Sequence, residues 1–210
     1  MKLYHPSIVN AAFQYVINTS KKYCIDESHA LKHSMEVFQS ANKIYISECN
    51  KNKYLIKQKN IIDVASIVHD MCDKKYINVD DSIKEMNVYM KDHLNLNEMT
   101  MVNNIISTMS YSYTQQYGFP DHSAYQLSYD IVREADLLAS YDIDRCIIYG
   151  MMQENIPYSK AVERAINITT SRSLTYKKKN LFKTEYAINK STELHDKCVN
   201  DLNNLINFVI

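Results

Sequence analysis

Four side chains on three separate segments have the chemistry to hold a divalent cation: His33, the adjacent pair His69-Asp70, and Asp136. His69 and Asp70 close the most apolar stretch of the chain, Ile61-Ile62-Asp63-Val64-Ala65-Ser66-Ile67-Val68. A carboxylate in such surroundings is costly unless its charge is compensated. A divalent cation supplies that compensation. Imidazole and carboxylate ligands together suit Mn, Fe, Co, Ni or Zn and leave positions for water and phosphate oxygens. Without a cation, the same four residues would form a buried hydrogen-bond network, a device that serves specificity in some proteins.

Helices must carry these residues. Among 210 residues there are only two Gly and three Pro, too few for the many tight turns of a sandwich or barrel. Apolar residues recur with the helical period from end to end, and the expected fold class is all-α, one domain over residues 1–210. Pro6 suits a first helical turn, followed by the stripe Val9, Ala12, Phe13, Val16 and Ile17, with residues 21–23 as a connector. Asp26 or Ser28 is the expected cap of a second helix, and residues 50–59 read as a solvated loop and helix start. Residues 61–68 read as a buried helix, and further helices are expected over 80–94 and 98–109. Gly118 and Pro120 mark residues 111–123 as a loop. Helical pattern resumes through Leu127, Ile131, Ala135 and Leu138 and ends at Gly150; Pro157 opens another helix, and a last one covers about 184–208.

Composition excludes several functions. With 24 basic and 24 acidic side chains the formal net charge is zero, which argues against a nucleic-acid binder. Gly118 and Gly150 stand alone, so no glycine-rich phosphate loop exists. Five scattered Cys, odd in number and never spaced as CxxC, argue against a disulfide framework or structural zinc. No apolar run follows Met1 and no stretch is long enough to span a membrane, so a reducing, cytoplasmic setting is expected. His29 and His33 have the spacing of a zinc-protease helix, but that motif needs Glu where Ala30 stands.

The order His33, His69-Asp70, Asp136 on helical segments resembles the HD-domain metal-dependent phosphohydrolases, in particular their small stand-alone members. Ser28-His29 with His33, Ser34 and Val37 looks like their first helix, and Ala65 through Lys75 like their "apolar-LHDI-x-D-x-K" segment. Ile105 through Ser110 and Glu134-Ala135-Asp136 are similar to the later helix and the closing "DAD". The resemblance covers about residues 23–150, with residues 151–210 as a helical extension. It implies an HD-domain helical bundle, with His33, His69, Asp70 and Asp136 as metal ligands and one divalent metal, Mn first, with Mg, Co, Ni, Fe or Zn as the others. The implied partner is a small phosphorylated molecule, a nucleotide or related phosphoester or pyrophosphate; monomer and homodimer are equally compatible.

Asp73 follows His69 by four residues and Asp70 by three, which puts all three on one side of a helix and makes Asp73 the candidate, beside Asp70, to orient or deprotonate an attacking water. His29, Lys74, Lys75, Arg133 and Arg145 are the candidate phosphate contacts. Tyr111, Tyr113 and Tyr117 offer faces on which a base can stack. His93 and His122 lie in contexts unlike the two-metal families and are expected at the surface, as is the second His-Asp dipeptide, His195-Asp196. Ala30 stands where these hydrolases carry an acid, Glu134 replaces the first Asp of the "DAD", and Asp142-Ile143-Asp144-Arg145 stands where glycines are usual. These departures bear on the substrate pocket and motivate an alternative, a catalytically impaired module that senses a phosphorylated ligand. A helical interaction protein without a site is the third reading.

Overall fold

The computed structural model describes residues 6–209; the segment after Met1 read above for a leader lies outside them. Among the described residues there are ten α-helices and no strand. In chain order they are α1 (Pro6–Tyr23), α2 (Leu31–Cys49), α3 (Lys59–Val68), α4 (Val79–Met90), α5 (Leu96–Thr108), α6 (Tyr111–Tyr117), α7 (Gln126–Ala139), α8 (Ile143–Met152), α9 (Tyr158–Ser171) and α10 (Glu185–Val209). The all-α expectation holds. No helix among the described residues is long and apolar enough to cross a membrane, and all five cysteines are free thiols.

The apolar stretch forms the axis of the bundle. Every side chain from Ile61 to Val68 is buried, so α3 has no solvent face and must be enclosed on all sides. It is enclosed by α1, α2, α5 and α7. Each fully buried Ile, Val or Leu contributes about 1.5–3 kcal/mol relative to exposure, so the enclosure of α3 is a substantial apolar contribution to the bundle. The enclosing helices are amphipathic: α2 turns Val37, Ala41 and Ile44 inward, and α7 turns Tyr129, Ile131, Val132 and Ala135 inward. At one end of the bundle, the first turn of α2, the C-terminus of α3 and the last turns of α7 come together, and the three candidate segments meet there.

Several local expectations need correction. Lys21 and Lys22 belong to α1 rather than to a connector. Neither Asp26 nor Ser28 caps α2; Ala30 occupies that position without a side-chain cap, and the Asp26 carboxylate instead accepts the Ser28 N–H at 2.9 Å within the preceding turn. The segment read as a solvated loop before α3 contains a 3₁₀ turn, Lys53–Gln58, that buries Leu55 and Gln58. The region of Tyr111, Tyr113 and Tyr117 is not a loop. Ser110 accepts the Tyr113 N–H and starts α6, and Gly118, at φ +81°, ends it. Gly150 does not end α8 but lies within it, where α9 crosses closely: a Cβ there would sit 3.2 Å from both Ala161 Cβ and Ile156 Cδ1.

One buried ion pair sits in the first turn of α3. Lys59 and Asp63 contact one another with side-chain exposures of 11% and 0%. Burial pushes the Asp63 carboxyl up to about 6 and the Lys59 ammonium down, each opposed by the charge of the other. A carboxyl raised above its unfolded value of 3.8 contributes stability below that value that is lost as pH rises through 6. Lys59→Met is therefore expected to lose about 3–5 kcal/mol at pH 7.5 and to recover part of it at pH 5, in urea melts. Lys59→Met with Asp63→Leu is expected to equal or exceed the parent; a double variant as unstable as the single would show the pair to be a net stabiliser.

Candidate metal centre

His33 sits in the first turn of α2 and is fully buried, with its ring edge turned towards the end of α3. After Val68 the chain tightens into a 3₁₀ turn, His69–Cys72, which separates the directions of His69 and Asp70 from the core-facing side chains before them. The Nδ1 of His69 lies 3.1 Å from the Ser66 carbonyl. A carbonyl only accepts, so Nδ1 carries the proton and Nε2 faces the site with its lone pair when the ring is neutral. His33 has no such anchor, since its buried Nδ1 has no hydrogen-bond partner.

The two Nε2 atoms are 3.0 Å apart. Asp70 Oδ2 stands 3.1 Å from His33 Nε2 and 3.3 Å from His69 Nε2. Asp136 Oδ1 stands 3.4 Å and 3.7 Å from the same two atoms. Ligand atoms of His33, His69 and Asp136 all lie within 4.8 Å of one another. Ligands about 2.1 Å from one ion, at angles between square and tetrahedral, stand about 3.0–3.4 Å apart; four of the five separations fall in that range, and the His69–Asp136 separation of 3.7 Å lies just beyond it. The buried Asp70 Oδ2 makes no hydrogen bond of good geometry despite its neighbours, as a ligand lone pair aimed at an ion would not. The donor set of two imidazoles and two carboxylates fits a divalent transition ion.

Without an ion, a proton must separate these lone pairs. Burial would lower the His69 pKa, but Asp70 and Asp136 outweigh it and push the ring up to about 10. Burial likewise opposes both carboxylates, and the imidazoles outweigh it, holding Asp70 and Asp136 well below the usual carboxylate range. The imidazole side chains are 0% and 3% exposed, whereas Asp70 and Asp136 are 15% and 20% exposed, so the carboxylates form the open side of the cluster.

They open into a cavity of about 300 Å³. His29, Asp73, Lys75 and Arg145 line it with them, so these four expected site residues are brought to the cluster. Two reach it by routes other than those expected. Asp73 is not on a helical face with His69 and Asp70; the chain is extended there after the 3₁₀ turn. His29 precedes α2 rather than sharing its face with His33. Its ring is kept neutral at neutral pH, chiefly because burial lowers its pKa to about 4. It accepts from Lys75 Nζ at 3.1 Å and lies 3.0 Å from Tyr76 Oη.

Lys74 and Arg133 are not among the cavity-lining residues. Lys74 is exposed beyond the rim. Arg133 is fully buried on another side of α7, where Nη1 donates to the Leu181 carbonyl at 2.9 Å and the guanidinium stacks on Phe119. Glu134 also points away: it accepts from the Lys183 N–H at 2.6 Å, the Thr184 N–H at 3.1 Å and the Thr184 hydroxyl at 2.6 Å, at the start of α10. The departure from "DAD" at this position therefore leaves the cavity wall untouched. Asp142, the other departure, caps α8 by accepting the Asp144 N–H and lines the cavity. His93 is exposed, and His122 packs on Tyr129 and bonds Thr108. His195 and Asp196 contact each other on α10, with Asp196 exposed.

Arg164, Arg172 and Ser173 also line the cavity and were missed. They lie in and just after α9, beyond the motif-bearing segments, where an isolated Arg has no periodic signal to distinguish it from a solvated one. No family model, curated protein or solved structure matches the chain. The fold and the site define a coarse class: an all-α protein with a buried His-His-Asp cluster able to hold a metal ion, beneath a charged cavity.

Mn is expected to raise the melting temperature, by the equivalent of about 2.7 kcal/mol at a free concentration about a hundred times Kd. His69 keeps its second proton between its ordinary 6.5 and about 10 in the ion-free fold. Its contribution to ion-free stability is thus complete below 6.5 and lost as pH rises through 10. Binding at pH 7.5 must displace that proton, so calorimetry in two buffers of different ionisation enthalpy should show release of about one proton per ion. His69→Ala and Asp136→Ala should lose both effects. Unchanged Mn affinity in Asp136→Ala would put the ion elsewhere.

Proposed function

We propose that this chain is a phosphohydrolase dependent on one divalent metal ion, acting on a nucleotide or related phosphoester or pyrophosphate. The observation that carries this reading is the spacing of the His33, His69 and Asp136 ligand atoms, all within 4.8 Å of one another, with Asp70 Oδ2 3.1 Å and 3.3 Å from the two imidazoles, open on the carboxylate side to a cavity with Lys75 and Arg145 in its wall. A divalent ion held by His33, His69, Asp70 and Asp136, with Mn as the first choice, supplies Lewis-acid polarisation of a phosphoryl oxygen and acidifies water.

The protein's own groups supply the remainder. Asp73 is held at the wall by Lys75, whose Nζ lies 2.9 Å from Oδ2 and whose N–H donates to Oδ1 at 2.9 Å. Thus fixed, the carboxylate can orient an incoming water and take its proton. Arg145 is anchored by Nε, which donates to the Ser28 carbonyl at 2.8 Å, and holds Nη2 3.9 Å from Asp70 Oδ2. A phosphoryl group bound at the cluster would then have this guanidinium beside it, to offset the negative charge that develops in transfer. Neutral His29 orients the Lys75 ammonium without adding a competing charge, since Nζ donates to its Nε2. The zero net charge of the chain suits a small substrate steered by local charge rather than a polyanion.

Purified protein with Mn, assayed on a panel of nucleotides for released phosphate and pyrophosphate, is expected to turn over at least one of them. Asp70→Ala should abolish turnover together with Mn binding. Asp73→Asn should keep Mn binding and lower kcat by about 10²–10⁴-fold. Stoichiometric Mn binding with no turnover on any nucleotide would replace this reading with that of a ligand sensor.

A further inference from the structure

The charges around the cavity are unevenly paired. Lys75 is committed to Asp73, and Arg164 forms a two-pronged pair with Glu154, Nε to Oε2 at 2.6 Å and Nη2 to Oε1 at 2.7 Å. Arg145 leans on Asp70. Arg172 has no carboxylate in ion-pair contact among the described residues, although it is half-buried and lines the same cavity. Leaving a cation unpaired in a partly buried wall has a cost unless a ligand completes it.

Arg172 is also held in place. Its Nε donates to Tyr176 Oη at 2.9 Å, and Tyr176 is itself fully buried. The guanidinium lies over the ring of Tyr111, 4.6 Å from the centroid. Tyr111 is fixed in turn, because its hydroxyl accepts from Lys179 Nζ at 2.7 Å. Nε is thus spent on orientation, and it makes the one side-chain hydrogen bond of Arg172 among the described residues, so Nη1 and Nη2 keep their donors. A planar fork with two free donors, stacked on an aromatic ring, is the arrangement that binds one phosphoryl group through parallel hydrogen bonds.

Arg145, not Arg172, is within 4 Å of a cluster carboxylate, so Arg145 accompanies the phosphoryl group at the metal centre. Arg172 lines the same cavity as Asp70 and Asp136 without an ion pair to either. We propose that Arg172 forms a second anion subsite of the cavity and selects substrates that carry a second phosphoryl group besides the one at the metal centre. The proposal rests on the phosphohydrolase reading for the identity of the first group; the subsite itself stands on the unpaired guanidinium. The second group either follows the first directly, as in a diphosphate, or sits elsewhere on the substrate, as in a bisphosphate.

The test is binding without turnover. Mn-loaded full-length chain, with equal free Mn in cell and syringe, is titrated with methylphosphonate, with methylenediphosphonate, whose P–C–P link resists hydrolysis, and with adenosine 3′,5′-bisphosphate. At least one of the two-phosphoryl probes is expected to bind about tenfold or more tighter than methylphosphonate, and the tighter one tells which arrangement the cavity fits. Arg172→Gln should remove that advantage and leave methylphosphonate binding and Mn stoichiometry unchanged. Arg172→Lys, which keeps the charge without the fork, should restore only part of it and carries the comparison if the Gln variant does not fold. No advantage for either two-phosphoryl probe, or equal weakening of all three ligands by Arg172→Lys, overturns the proposal. An advantage that depends on Arg172 in a protein that turns over no nucleotide leaves the subsite standing and removes the hydrolase reading. Turnover without any such advantage does the reverse.

Discussion

Two imidazole nitrogens 3.0 Å apart, with a carboxylate oxygen close to each, cannot sit in the interior of a helical bundle without positive charge between them. With both imidazoles neutral, the lone pairs repel and the carboxylates lie partly desolvated; with one proton the cluster balances poorly, and with a divalent ion it balances well. The placement of α2, α3 and α7 follows from this need. Each helix brings one segment of the cluster to the same end of the bundle, and α3, buried from Ile61 to Val68 and enclosed by the others, holds their separation.

Helix α7 shows how closely charge is partitioned by direction. Three positions within four residues, Arg133, Glu134 and Asp136, with the buried Ala135 before the last, serve three different surroundings. Asp136 joins the His33–His69 cluster, Glu134 receives the Lys183 and Thr184 N–H groups just before α10, and Arg133 closes against Leu181 and Phe119. Burial pushes the Glu134 carboxyl up to about 7, which marks its surroundings as dry, whereas Asp136 is held far below its ordinary value by two imidazoles. Two acids two residues apart therefore have opposite electrostatic roles, and only one of them belongs to the site.

This explains which parts were legible in the sequence. His33, His69, Asp70 and Asp136 could be found because their residue types are rare next to strong apolar pattern, and because a buried carboxylate asks for a partner. The helices could be found for the same reason, period by period. What failed was anything decided by backbone direction at a helix end. Asp73 was assigned to a helical face, yet the helix stops at Val68 and the chain reaches the cavity through a 3₁₀ turn. Arg133 shares a helix with Asp136 and still misses the cavity, because a helix buried on most sides has no single functional face. The tyrosine-rich segment before Gly118 read as a loop because Gly118 and Pro120 punctuate it, but the Ser110 cap and the burial of Thr114 make its first part a short helix. Arg172 carried no signal at all, since its importance comes from what it lacks, a carboxylate, and that is visible only in three dimensions.

The scarcity of glycine then gains a structural meaning. With two Gly in 210 residues, this chain cannot cradle phosphate in a backbone loop. Any anion in its cavity must be held by side chains, and long cationic side chains lose entropy when they are fixed. Tyrosine offsets that loss here: Tyr149 is flanked by Lys75 and Arg164, and Tyr111 by Arg172 and Lys179, so rings rather than backbone amides hold the cations in position. The 17 tyrosines are, at these two positions, the counterpart of the missing glycines. On the proposed reading, such a wall would meet a phosphoryl group through the planar forks and ammonium groups it stacks, so its selectivity would depend on where each cation is pinned rather than on a loop sequence.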